Sequence, residues 1–309
     1  MTRIVTTADS LHGCKPSIRS EKPLDTNYQN GDFSNITSSI TQTIQINGVT
    51  IYLEEPITHD AVWIAQEEPF QDLIASWMIL HADDRILSPV LVGPPGSGKT
   101  TLGIVAAKEL NRPLYIMNCI AGMTAEDLLI TPVISDRQTV QYHASPLVSA
   151  AINGGIIILD ESNRMGERAW ASLASLLDDR RYIETKTVVK RIQAHPEFRF
   201  CATMNEDAST YNLPEYIESR LKPIIRVPYP QAKELEKILA HHVPSTDEPL
   251  RAAIINYLHK RRTAGHYEDY SIRNAIHIAV IALKNQKIRD EYSNPEEFIN
   301  QVAKSVVRQ

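Results

Sequence analysis

Short apolar runs alternate with longer amphipathic segments through the middle of the chain, and the alternation stops near Pro230. Val90–Val92, Leu114–Asn118, Ile156–Leu159, Arg199–Thr203 and Ile224–Val227 read as strands. Several are apolar throughout, the pattern of a parallel sheet covered on both faces. Beyond Pro230 the apolar spacing is helical over Gln231–His242, Glu248–Arg262, Ile272–Asn285 and Pro295–Val307. Asn294-Pro295-Glu296-Glu297 is a well-formed helix start: a capping side chain, Pro at the first helical position and acids in the first turn. A further helix is predicted from about Phe70 to Asp83. Thr43–Ile46 and Val49–Leu53 alternate around Asn47-Gly48, a hairpin signal because Asn-Gly tolerates the positive φ of a type I′ turn. Residues 1 to about 40 are polar and aperiodic, the composition of a loosely packed arm. The expected organisation is α/β: an N-terminal arm with a β-hairpin over 1–58, an α/β core over 59–228 and a small all-α domain over 229–309.

Composition narrows the classes of function. The 309 residues are 43% hydrophobic and 22% charged, as in a globular protein with a sizeable core. The formal net charge of −5 gives no general reason to expect nucleic acid or an anionic membrane as partner. The tightest basic cluster, Lys260-Arg261-Arg262, reads first as a solvated helix end. Cys14, Cys119 and Cys201 are odd in number and lack zinc or redox-pair spacing, which fits a reducing cytosol. No run approaches the ~20 apolar residues of a membrane span, so membrane insertion is not expected and the expected location is cytoplasmic.

Candidate chemistry is concentrated at the ends of the predicted strands. Gly93-Pro94-Pro95-Gly96-Ser97-Gly98-Lys99-Thr100 follows the first of them and opens a helix beginning near Thr101. Glycines at both ends let backbone N–H groups wrap an anion. Lys99 supplies a mobile positive charge for the β- and γ-phosphates, Thr100 a hydroxyl for Mg²⁺, and the helix the positive end of its dipole. Gly93 to Thr101 are therefore candidate nucleotide-binding residues, with ATP and Mg²⁺ as the expected ligands. A Gly-rich turn before an ordinary helix is the alternative, and strand–loop–helix order weighs against it.

Gly155-Ile156-Ile157-Ile158-Leu159-Asp160-Glu161 reads as a buried strand ending in two acids. Asp160 at the strand's carboxyl end can hold the metal's water shell, and Glu161 can polarise an attacking water. The next strand ends in Asn205, placed to hydrogen-bond both a γ-phosphate and that water, although Asn after a strand is often only turn chemistry.

Over roughly residues 85–309 the chain resembles the AAA+ ATPases, and within them the MoxR group with its CbbQ- and NorQ-like members, related to the dynein-type AAA domains. The resemblance rests on GPPGSGKT at 93–100, IILDESNR at 157–164, ATMN at 202–205, LPEYIESRL at 213–221 and SIR at 271–273. It implies a P-loop core with a five-stranded parallel sheet followed by a small all-α lid, Mg²⁺-dependent ATP hydrolysis and assembly into a ring, with a hexamer of identical subunits expected. It makes Arg220 an arginine finger reaching the neighbouring subunit's site, Arg273 the second sensor in the lid with Ser271 as its helix cap, and Arg164 a candidate neighbour contact. It also implies two hairpin insertions, at Ile130–Tyr142 and Tyr182–Ile192, as candidates for partner contact, and work on a client or partner protein, in some cases one with a von Willebrand factor A domain. Ser162, Glu206 and Ser219 depart from the group's usual Ile, Pro and Asp; none of these changes removes a catalytic group. Two other functions stay open: a nucleic-acid motor or restriction-type translocase subunit, and a nucleotide-gated scaffold with little turnover.

Overall fold

Strand periodicity explains why the central segments are apolar on every residue. In the computed structural model, which describes residues 42–81, 84–135, 137–185, 191–206, 213–289 and 294–307, β3 (Val90–Gly93), β4 (Leu114–Asn118), β7 (Ile156–Asp160), β10 (Arg199–Asn205) and β11 (Ile224–Arg226) form one parallel sheet. Its strand order is β11-β3-β10-β7-β4. Successive side chains point to opposite faces. Ile157 and Leu159 enter one core with Trp170, Leu147 and Phe198. Ile156 and Ile158 enter the other with Leu73, Trp77 and Leu102. Helices α1 (Glu67–Trp77) and α2 (Lys99–Glu109) contribute to the second core, and α4 (Pro146–Asn153) and α5 (Glu167–Leu173) to the first.

The hairpin at the front of the chain is present as β1 (Thr43–Ile46) and β2 (Val49–Tyr52), with Asn47 and Gly48 both at positive φ. It does not stand by itself. The short helix α3 (Ala125–Leu128) leads into β5 (Ile130–Ile134) and β6 (Val140–Ala144), the first of the two insertions, and β2 pairs in parallel with β6. Ile51 and Leu53 are buried in the same core as the central sheet. The second insertion appears as β8 (Tyr182–Glu184) and β9 (Arg191–Gln193); the strand expected from Val188 falls partly outside the described residues, as does the whole arm before residue 42.

α1 differs from its expected limits at both ends. It begins at Glu67 because Pro69 is tolerated in a first turn, where backbone N–H groups have no intrahelical partner. It ends at Trp77 although Met78, Ile79 and Leu80 continue the apolar run, because the Asp84 carboxylate accepts from the N–H groups of Leu80 and His81 and closes a turn instead. Trp77 is fully packed, its indole N–H donates to Phe200 O at 3.0 Å, and the buried Arg199 donates Nε to Trp77 O at 2.8 Å. That guanidinium has its pKa pushed down to about 10, first by burial and then by Arg112 and Arg181, against a smaller opposing effect of Glu197.

Residues 227–231 join the sheet to four lid helices: α7 (Ala232–His242), α8 (Glu248–Thr263), α9 (Ile272–Arg289) and α10 (Pro295–Ala303). They close around a separate core that includes Leu239, Ile254, Ile278 and Ile299. Asn294 caps α10 as expected, its side chain accepting from Glu296 N at 2.9 Å, and Ser271 caps α9 by accepting from Asn274 N at 3.1 Å. The basic cluster at the end of α8 is internally partnered: Lys260 with Glu296, Arg261 with Asp269, and Arg262 over the Tyr270 ring. Among the described residues no helix is long and apolar enough to cross a membrane.

Replacing Trp77 with Ala removes an indole sealed between α1 and the sheet, so Trp77→Ala should destabilise the protein by about 3–5 kcal/mol. Urea unfolding followed by far-UV circular dichroism would measure it, and a cost below about 1 kcal/mol would contradict this packing.

Candidate functional site

Parallel register brings the strand ends together. Asn205 pairs with Gly93 across β10 and β3, and Asp160 ends β7 on the other side of β10. Both lie at the carboxyl edge, beside the start of α2, where ligands sit in open α/β sheets.

The Gly93–Thr100 loop is fixed by contacts that admit no side chain. A Cβ on Gly93 would lie 2.2 Å from Val227 O, and one on Gly96, at φ +73°, would lie 2.9 Å from Ser271 Cβ. Gly98 then starts α2 from a left-handed conformation. Lys99 is almost wholly buried and donates from Nζ to Gly93 O, Pro94 O and Asn205 Oδ1, each at 2.9 Å. These are oxygen acceptors of the kind a phosphate presents. The Ser97 hydroxyl is buried with no hydrogen-bond partner.

Thr100 Oγ1 donates to Asp160 Oδ1 at 2.8 Å. Thr203, which nothing in the motif pattern singled out, donates to the same oxygen at 2.5 Å and accepts from Glu161 N at 3.0 Å. It thereby orients both acids. Its sequence signals are its place in the ATMN stretch, which assigned it no role, and a hydroxyl at a buried position of a largely apolar strand. Glu161 sits at φ +52°, and its carboxylate meets Arg164 at 2.8 Å within the same chain, whereas the resemblance pointed Arg164 at a neighbour. Cys119 lies close by, its thiol pushed up to about 12 by burial first and then by Asp160 and Glu161. The half-buried Thr100 hydroxyl and the Asp160 carboxylate offer oxygen ligands, which suit a hard cation such as Mg²⁺.

A cleft of about 390 Å³ runs from these groups to the lid. Lys99, Thr100, Thr101, Asp160, Glu161 and Asn205 line its polar end. Val62, Trp63, Ile64 and Ala65, from the segment before α1, line an apolar end that the motifs did not reveal. The lid adds Arg273, Ile276, His242 and His277. Burial, then His241, lowers the His242 pKa, favouring a neutral ring. The lid also touches the loop directly: Ile272 N donates to Gly96 O at 3.2 Å and Tyr229 OH to Pro95 O at 3.1 Å.

Arg220 is elsewhere. It follows α6 (Glu215–Glu218) and lines a second cleft, of about 680 Å³, with Asp178, Arg181 and Lys222. Of the predicted site residues, the structure gathers Gly93 to Thr101, Asp160, Glu161, Asn205 and Arg273 and leaves Arg220 outside. The three departures have local partners: the buried Ser162 hydroxyl donates to Thr203 O, Glu206 accepts from Arg226, and the Ser219 hydroxyl donates to Tyr216 O.

Residues 88–221 match the sequence family described as the AAA domain of the dynein-related subfamily. The segment spans the phosphate loop, both acids, Asn205 and Arg220. The uncharacterized protein YojN of Bacillus subtilis is 26% identical over 241 residues, covering 70% of this chain and 76% of YojN. Among solved structures, the Thermotoga maritima RuvB Holliday junction branch migration motor superposes with a TM-score of 0.53 at 16% identity, over 78% of this chain and 70% of that one. Brucella abortus NtrX in complex with ADP gives 0.51 at 16% identity, over 69% and 49%. The fold is therefore that of the P-loop AAA+ proteins: a five-stranded parallel α/β core followed by a helical lid.

Thr203→Val keeps the shape of the side chain and removes the hydroxyl that holds Asp160 and Glu161. In an ATP turnover assay it should raise the Mg²⁺ concentration needed for half-maximal rate by about tenfold or more, as loss of a group supporting a metal ligand does. A magnesium titration of turnover would measure this, and an unchanged midpoint would show that the hydroxyl does not orient Asp160.

Proposed function

We propose that this chain is a Mg²⁺-dependent ATPase that works as a ring of identical subunits. The observation that carries the reading is the convergence of Lys99, the Thr100–Asp160 pair, Glu161 and Asn205 at one end of a cleft, while Arg220 faces a different one. Such a cleft has a cation for bound phosphates, oxygens for a metal and a base for water. Among the described residues Arg273 is the one arginine that lines it, and a neighbouring copy can supply another.

Lys99 would exchange its carbonyl and amide acceptors for β- and γ-phosphate oxygens. Thr100 and Asp160 would hold Mg²⁺, which neutralises phosphate charge when bound. Glu161 would accept hydrogen bonding from the attacking water and draw off its proton as the bond to the γ-phosphorus forms. Asn205 would orient that water. The β–γ bridging bond breaks, leaving ADP and inorganic phosphate. Arg220 of one subunit would stabilise the charge that develops on the transferred group in the next. Arg273, at the start of α9, would report the state of the γ-phosphate to the lid, whose contacts with Pro95 and Gly96 reach the loop itself.

The work of such a ring is the remodelling or activation of a partner protein in the cytoplasm. A partner with a von Willebrand factor A domain is the class to which the MoxR-like motifs point. Support for a protein partner is the first insertion, whose end exposes Val133, Ile134 and Val140.

Lys99→Ala should abolish ATP binding, measured by calorimetry; retained affinity would remove the phosphate-loop role. Arg220→Ala should keep nucleotide affinity and lower turnover by about 10³-fold or more. Mixing it with Glu161→Gln subunits should restore part of the activity through hybrid interfaces. Absence of rescue at every mixing ratio would refute an arginine acting across subunits.

A further inference from the structure

Arg220 is held by a charge arrangement that neither the motif pattern nor its role in phosphoryl transfer requires. Its Nη1 donates to Tyr216 O, and its Nη2 meets Asp178 Oδ2 at a loose 3.5 Å. Nε is buried without a hydrogen-bond partner. The side chain is 28% exposed, so the guanidinium rests against the protein while part of the residue reaches solvent.

Asp178 itself is already occupied. Arg180 grips it from Nε at 3.0 Å to Oδ1 and from Nη2 at 2.7 Å to Oδ2, and the Arg180 backbone N–H adds a third bond to Oδ1 at 3.0 Å. The turn carrying it is rigid. Arg181 N bonds back to Asp178 O, Arg181 sits at φ +47°, and its Nη2 donates to Phe198 O at 2.7 Å. Arg180 in turn lies over the Tyr182 ring of the β8–β9 hairpin, where Arg191 packs as well. Arg180 first, and Arg220 to a lesser extent, hold the Asp178 carboxyl below the usual carboxylate range, so it carries its charge at neutral pH.

We propose that Asp178 is the positioning residue for Arg220: it orients the guanidinium toward the neighbouring subunit without retaining it. A carboxylate paired only with Arg220 would compete with the incoming phosphate. One already neutralised by Arg180 loses little when Arg220 shifts to the phosphate. Without Asp178, the guanidinium would lose its carboxylate contact in a cleft where Arg85 is already paired with Asp179 and Arg181 and Lys222 also line the wall beside Asp84, so nothing would fix its direction. Misplacing a charge by about 1 Å at a transferring group is enough to cost up to 10²-fold in rate.

The inference rests on Arg220 acting across subunits, and the test separates the two. In the full-length protein, Asp178→Asn should lower kcat by about tenfold or more and leave KM for ATP within about twofold. Asp178→Glu, which keeps the charge, should recover part of the loss. Mixing Asp178→Asn with Glu161→Gln subunits should restore turnover, because the Glu161→Gln copies carry an intact Asp178–Arg220 pair. Wild-type kcat in Asp178→Asn, with Arg220→Ala inactive, would overturn the positioning role and leave the arginine finger standing. Normal turnover in Arg220→Ala would overturn both. A low kcat in Asp178→Asn that no mixing ratio rescues would also overturn the proposal, because the defect would then lie within the subunit's own site. Should circular dichroism show Asp178→Asn to be unfolded, Asp178→Glu alone decides by the same mixing: rescue of its reduced kcat supports the role, and no rescue overturns it.

Discussion

Everything at the candidate site depends on the parallel pairing of β10 between β3 and β7. That pairing sets Asn205 beside Gly93 and brings Thr203 within reach of Asp160 and of the Glu161 backbone. Because side chains alternate across a strand, a slip of one residue would turn Thr203 away from the acids and bury a methionine or an alanine in its place. The two cores prevent the slip. Ala202 and Phe200 pack on one face and Cys201 on the other, each fully or nearly fully buried, so register and chemistry are specified by the same packing.

The charges follow a similar economy. Lys99 is buried and donates to three oxygens, Gly93 O, Pro94 O and Asn205 Oδ1, which orient its ammonium group beside the loop. Glu161, by contrast, is paired with Arg164 at the mouth of the cleft, where both side chains are about half exposed. An ion pair in that setting is weak, on the order of 0–1 kcal/mol, and a ligand or a neighbouring subunit can rearrange it cheaply. Strong local fixation at the loop and weak fixation at the rim fit the proposed reading, in which nucleotide binds first and a second subunit completes the site.

The legible part of the structure was the part whose chemistry is local. The Gly93–Thr100 loop, the acids after Leu159, the Asn47-Gly48 hairpin and the caps at Ser271 and Asn294 each follow from a few neighbouring residues, and the structure contains the expected elements at these places. Less was legible where the cause lies far along the chain. The end of α1 depends on Asp84 capturing two backbone N–H groups against an apolar run that invited the helix to continue. Thr203 acquires meaning only through its neighbours on β7. The apolar end of the cleft comes from Val62 to Ala65, which carry no motif and matter because the chain folds them against α2 and the lid. The separation of Arg220 from the phosphate loop is likewise invisible in spacing, since it is a matter of which side of the sheet α6 reaches.

The parallel pairing of β2 with β6 carries a consequence for how this chain keeps to itself. A two-stranded insertion projecting from a core would leave one backbone edge of β6 open, with unpaired N–H and C=O groups able to template association with any extended segment. Residues 49–52, nearly a hundred positions earlier in sequence, occupy part of that edge. The front of the chain thus serves as a guard strand. Its Ile51 is wholly enclosed and its outer partner β1 is short and alternately exposed, so at this edge the sheet ends in a strand poorly suited to recruiting another, while the opposite edge, β5, keeps Val133 and Ile134 exposed. Loss of that segment would therefore be felt first as stickiness, well before any effect on the phosphate loop on the far side of the core.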